Sequence, residues 1–123
     1  MTPEPTEFHP AKLLHAPIIR EVVRQAYAKW VPILGREPLP MKADYELAVQ
    51  NHRIELLYAG GTIAGLIETM LRDDHLWIEN VAVRPDNQGQ GLGHRLLFHA
   101  EMQADTAGVP KIRLLTNGLF SSN

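Results

Sequence analysis

Residues 53–83 leave the chain little choice of topology. Three apolar stretches, RIELLYA (53–59), TIAGLIETML (62–71) and LWIENVAV (76–83), are separated only by Gly60-Gly61 and by the polar run RDDH of 72–75. A parallel connection needs a crossover of roughly a dozen residues or more. These short connections cannot supply one, so the three strands must run as an antiparallel meander. Gly-Gly also suits a tight hairpin turn with positive φ at both positions.

The flanking segments have a helical period. Ile18, Ile19, Val22, Val23, Ala26, Tyr27 and Trp30 fall on one helix face. Pro17 suits the first turn, where its missing N–H is harmless, and Pro32 and Gly35 are expected to end the helix. The connection VPILGREPLPMKAD (31–44) is long and Pro-rich, and Tyr45, Ala48 and Val49 predict a short second helix. A short first strand is expected around Phe8. Beyond the meander, Gly93, Leu96, Leu97, Ala100, Ala104 and Ala107 predict a helix packed closely on a sheet, with Gly108 as its stop. KIRLLT (111–116) predicts a last strand. The order helix, helix, three strands, helix, strand predicts one α/β domain over residues 1–123, a mixed sheet with helices on its faces.

Composition narrows the function classes. Hydrophobic residues make up 45% and charged residues 21%, the balance of an ordinary globular chain. A net charge of −2 without any run of Lys or Arg gives no electrostatic footprint for nucleic acid. With no cysteine there is neither a disulfide nor a thiolate nucleophile. His9, His15, His52, His75, His94 and His99 show no metal-ligand spacing, so no metal is expected. No apolar run approaches the roughly 20 residues of a membrane helix. The start MTPEPTEFHP lacks the features of a signal peptide, and a cytoplasmic location is expected.

The stretch NVAVRPDNQGQGLGHRLL (80–97) carries the chemistry. Gly89, Gly91 and Gly93 stand where a strand hands over to a helix. Bare backbone there lets successive N–H groups and the positive end of the helix dipole surround an anion. A P-loop would need Gly-Lys-Ser/Thr where this chain has Gly93-His94-Arg95. A dinucleotide fingerprint counted from Gly89 would need glycine where His94 stands. Gln88-Gly89-Gln90-Gly91-Leu92-Gly93 instead resembles the acyl-CoA signature Q/R-x-x-G-x-G/A of the GNAT (Gcn5-related) N-acetyltransferases, and the order of elements over about residues 8–117 is similar to that family's.

The resemblance implies a GNAT-like acyl-CoA N-acyltransferase fold using acetyl-CoA as acyl donor. It implies that the backbone of Gln88, Gly89, Gln90, Gly91, Leu92 and Gly93, with His94, grips the pyrophosphate. It further implies that Val81 and Val83 hydrogen-bond the pantetheine arm and that Asn117 lies near it. Family members continue past the fifth strand with a helix, whose tyrosine often protonates the leaving thiolate, and with further strands. This sequence stops at TNGLFSSN, so a C-terminally truncated version of the fold is expected. The uncovered fifth-strand edge would then pair with a second copy, giving a homodimer.

Acetyl transfer to a primary amine needs a base, because an ammonium of pKa about 10 is mostly protonated at neutral pH. Glu79 is the candidate. It is expected to share a strand face with Trp77, Val81 and Val83, an apolar setting that raises a carboxylate pKa, and the family often places a catalytic glutamate at the equivalent position. Glu68 on the neighbouring strand is a second choice. Tyr27 and Trp30 read as core. Arg36, Met41 and Tyr45 lie in or near the connection that borders the acceptor site in the family the chain resembles, and Arg36 reads as a solvated surface arginine rather than a partner for a substrate carboxylate. The acceptor implied is a small-molecule or peptide amine, expected to attack directly in a ternary complex. The alternative is a non-catalytic acyl-CoA-binding remnant or interaction module of the same fold.

Overall fold

The computed structural model describes residues 5–114. Within them, β1 (Thr6–Pro10), β2 (Arg53–Ala59), β3 (Thr62–Leu71), β4 (His75–Val83) and β5 (Lys111–Leu114) form one sheet in the order β1-β2-β3-β4-β5. The first four strands are antiparallel neighbours, and β5 runs parallel to β4. Gly60 and Gly61 take φ of +61° and +88°, the double positive φ expected of the hairpin turn. The parallel pairing of β5 joins His75–Ile78 to Lys111–Leu114. Asn117 and the end of the expected last strand lie outside the described residues.

Helices cover both faces. On one lie α1 (Ala16–Tyr27), the single turn α2 (Val31–Leu34) and α3 (Tyr45–Asn51); α4 (Leu92–Ala107) covers the other. Asp44 caps α3, its Oδ1 accepting the Leu47 N–H at 3.1 Å. Ile19, Val22, Val23 and Tyr27 of α1 bury against Ile54, Leu56, Leu66 and Ala82. Leu92, Leu96, Ala100 and Ala104 of α4 pack on Leu57, Ala59, Ile67, Leu76 and Ile78.

Two helix expectations need correction. Pro32 does not end the first helix: it falls in the first turn of α2, where no N–H is required. The helical path therefore continues through a 3₁₀ turn at Ala28–Trp30 until Gly35, whose φ of +72° stops it. In α4 the buried stripe is narrower than expected. Its members recur every fourth residue, leaving Leu97 and Ala107 exposed. His99 of the same helix stacks on Phe8 with ring centroids 3.8 Å apart. Its Nε2 lies 3.1 Å from Glu55 Oε1, within ion-pair range though too poorly angled for a hydrogen bond. Arg53 and Gln103 donate to the same oxygen. Burial pushes the Glu55 carboxyl up, but His99 and Arg53 together outweigh it and hold it below the ordinary range.

The centre of the sheet is tight at Gly65. A Cβ there would sit 2.5 Å from the Ala82 carbonyl oxygen. Since that neighbour is backbone in a central strand, it cannot step aside cheaply. Gly65→Ala is expected to destabilise the fold by about 1–3 kcal/mol, in the range of core overpacking. A fall in the urea midpoint with an unchanged slope would register this, and an unmoved midpoint would refute the close approach.

Candidate functional site

The glycine loop runs from Arg84, at the end of β4, through a 3₁₀ turn at Pro85–Asn87 into α4. Arg84 fixes its near end: Nε donates to the Ile63 carbonyl at 2.8 Å and Nη1 to Gln25 Oε1 at 3.0 Å. Gly89 and Gly91 adopt φ of +80° and +79°, which a side chain would oppose. Gly93 has no such need, and a Cβ there would meet nothing within 4 Å. The loop is open on its outer side. Gly91 is the N-cap of α4, no side chain caps the helix, and its first turn holds no acidic residue. The first intrahelical bond runs from the Arg95 N–H to the Gly91 carbonyl at 3.1 Å. Among the described residues the N–H groups of 89–94 therefore have no acceptor. Lys29 adds a cation, with Nζ 3.5 Å from Gln88 Oε1. An anion fits here.

On the α1 side of β4 lies a cleft of about 600 Å³, walled by the Pro-rich connection, α3 and the middle of β3 and β4. Where it borders this cleft, β4 carries one residue too many. Glu68 pairs with Asn80 and Thr69 with Ile78, which leaves Glu79 as the extra residue of a β-bulge. The bulge reverses the alternation. Ile78 faces α4, Glu79 and Asn80 both face the cleft, and Val81 returns to the α4 side. This corrects the expected setting of Glu79, which shares the cleft with Trp77 and Asn80, not with Val81 and Val83. It is also exposed to solvent, its Oε1 accepting the Trp77 indole N–H at 2.8 Å.

Behind Glu79 the cleft wall is a buried polar network. Asn80 Oδ1 accepts from the Tyr27 hydroxyl at 3.0 Å, and its Nδ2 donates to the Tyr45 hydroxyl at 3.2 Å. Tyr27 also reaches the Val81 carbonyl at 3.3 Å, and Tyr45 donates to the Pro40 carbonyl. Burial, reinforced by the charge of Glu68, pushes both phenols far above their ordinary range, so both remain donors. Glu68 is 4% exposed, and its Oε2 lies 2.6 Å from His52 Nδ1. Burial raises its carboxyl, the His52 contact opposes this in part, and Glu79 adds to the rise.

The two regions meet at β4. The Arg84 N–H donates to the Ala64 carbonyl at 2.8 Å. By the alternation of an antiparallel ladder, Ala82 and Arg84 then turn their main chain towards β3. Val81 and Val83 turn theirs the other way, to the edge along which β5 pairs with the first half of β4. The structure thus brings Val81, Val83 and the loop 88–94 together, with Glu79 across the strand.

The sequence model of the acetyltransferase (GNAT) family matches residues 19–119. The chain belongs to the GNAT acetyltransferase family. Solved structures agree on the fold. The PaiA N-acetyltransferase of Thermoplasma acidophilum, in complex with coenzyme A, superposes with a TM-score of 0.80 at 17% identity, over 96% of this chain and 83% of that one. The ribosomal-protein-S18-alanine N-acetyltransferase of Escherichia coli gives 0.75 at 21% identity, over 96% and 71%. A GNAT acetyltransferase of Elizabethkingia anophelis with acetyl-CoA bound gives 0.69 at 19% identity, over 95% and 69%. No curated protein sequence matches the chain. No helix among the described residues is long and apolar enough to cross a membrane.

In this GNAT domain the residues that sequence reading passed over are His52, Asn80, Tyr27 and Arg84. Arg36 and Tyr45 line the cleft, and Met41 is buried beside it. Among the described residues there is no group of side chains able to hold a metal ion.

Glu68 couples the cleft to stability. Its carboxyl is raised in the fold relative to the unfolded chain, so its stabilising contribution is present while it is protonated and is withdrawn as pH rises through its folded value. Glu68→Gln cannot ionise. Its stability relative to the native chain is therefore expected to improve progressively as pH rises from the ordinary carboxylate range through the raised folded value. Chemical denaturation of both proteins across that range checks this, and a pH-independent difference would remove the burial effect.

Proposed function

We propose that this chain transfers the acetyl group of acetyl-CoA to the amine of a small-molecule or peptide acceptor, both substrates being bound together. One observation carries the reading: an uncapped, glycine-built anion site and a carboxylate-lined cleft open on the two sides of the same strand, β4. The N–H groups of 89–94 would hold the pyrophosphate, that of Gln88 being donated to the Pro85 carbonyl at 3.3 Å instead, and Lys29 stands close enough to add charge. The outward main chain of Val81 and Val83 would hydrogen-bond the pantetheine arm. The acetyl thioester supplies the electrophilic carbonyl. Glu79 at the mouth of the cleft and Glu68 in its depth are the carboxylates able to deal with the ammonium and its proton. No cysteine is available to carry an acyl group, which favours direct attack.

Acetyl-CoA is expected to raise the melting temperature, by the equivalent of about 2.7 kcal/mol at a concentration one hundred times its Kd. Gly91→Asp should abolish that shift, since it puts a charged side chain at φ +79° against the phosphates. An unchanged shift in this variant would move the phosphate site elsewhere. Release of free thiol from acetyl-CoA with a panel of primary amines then separates an enzyme from a module that binds acyl-CoA without turnover.

A further inference from the structure

We propose that the buried Glu68–His52 pair takes the proton from the acceptor ammonium and passes it to solvent, while Glu79 holds the ammonium at the mouth of the cleft. The proposal deepens the acetyl-transfer reading and rests on it.

The geometry divides the two carboxylates. Glu79 is exposed and already accepts the Trp77 indole N–H at 2.8 Å, which suits it to ion pairing. Glu68 lines the same cleft with 4% exposure, directly opposite Asn80 in register. Asn80 is bonded to Tyr27, whose hydroxyl reaches the Val81 carbonyl on the strand assigned to the donor. Glu68 therefore sits beside the strand along which the thioester would lie, in a place where water is scarce. His52 supplies the way out. Its backbone is fixed as the C-cap of α3, its N–H donating to the Ala48 carbonyl at 2.8 Å, and Nδ1 lies 2.6 Å from Glu68. Its side chain is 28% exposed, and its Nε2 has no hydrogen-bond partner among the described residues.

The remaining groups around Glu68 fit this division. Tyr27 on α1 and Tyr45 on α3 are kept protonated by burial and offer no competing base. Glu79 on β4 contributes like charge, which favours a proton on Glu68. Arg20 on α1 acts on Tyr45 and is engaged with Glu46 at 2.8 Å. Among the described residues Arg36 is the one arginine or lysine lining the cleft.

The step balances. The ammonium gives one proton to Glu68–His52, and the free amine lone pair forms the N–C bond to the thioester carbonyl. The C–S bond breaks as the tetrahedral centre collapses, and the proton then lost from nitrogen goes to the departing thiolate. Amide, thiol and one proton to solvent are the products.

Steady-state acetylation of an amine accepted by the native chain tests the assignment, using Glu68→Gln, His52→Gln and Glu79→Gln. Glu68→Gln should lower kcat by about 10²-fold or more, abolish the acidic limb of the pH profile and leave the acetyl-CoA thermal shift intact. His52→Gln should lower kcat less and recover when imidazole is added, which a purely structural role would not produce. Glu79→Gln should act mainly by raising KM for the amine. Full kcat in Glu68→Gln would overturn the proposal while leaving acetyl transfer standing. A His52→Gln loss that imidazole does not restore would overturn the exit path, and this variant carries the test if Glu68→Gln fails to fold. A native chain that binds acetyl-CoA but acetylates no amine would overturn the acetyl-transfer reading, and this one with it.

Discussion

The extra residue in β4 decides how the two halves of the molecule can cooperate. Without the bulge at Glu79, strict alternation would send every second residue from Leu76 onward to the α4 side, Asn80 and Ala82 among them. The inserted residue turns Asn80 into the α1 side, where two tyrosine hydroxyls meet its amide. It also hands Val81 and Val83 to the opposite face, where they pack against the core under α4. A bulge leaves its residue outside the ladder and bends the strand, and here both effects are used: Glu79 is released to the cleft mouth, and the strand beyond it leads to the glycine loop.

Asn80 with Tyr27 and Tyr45 is a costly way to fill a wall. A buried polar group needs partners, and one left without them costs about 1–3 kcal/mol. An apolar residue would remove that risk, but it would not fix the orientation of two phenols at once. The amide offers an acceptor to one tyrosine and a donor to the other, so each hydroxyl has one defined direction. Both tyrosines thereby span the cleft, one from α1 and one from α3, and their rings serve the core as well. Core membership and a place in the cleft are compatible in one side chain because the ring and the hydroxyl have different neighbours.

Much of this was legible in the chain, for definite reasons. The meander follows from connections too short for a crossover, and the loop follows from glycines at a strand-to-helix junction, two of which take the left-handed conformation. The bulge was not legible. Residues 76, 78, 80 and 82 are all buried because helices cover both faces, so an unbroken alternation conceals the change of side. His52–Glu68 was hidden for a different reason. The pair is 16 residues apart and is made by the register of β2 and β3, so neither partner carries a local signal. The apolar setting expected for Glu79 is lost at the bulge, because strict alternation puts Val81 and Val83 on its face and the extra residue moves them to the other. Arg84 lies within the quoted motif, yet its partners on α1 and β3 come from distant segments.

Net charge conceals one further feature. The whole chain carries −2, too little to steer either substrate. Charge is instead sorted across β4. On the loop side lie the partnerless amides of 89–94, the dipole of a 16-residue helix and Lys29. On the cleft side lie Glu68, Glu79 and Asp44, against a single arginine or lysine among the described residues, Arg36. A polyanionic donor is favoured on the first side and opposed on the second, and a cationic acceptor the reverse. On the proposed acetyl transfer, one strand would keep the two substrates apart except along its own edge, where transfer would have to occur.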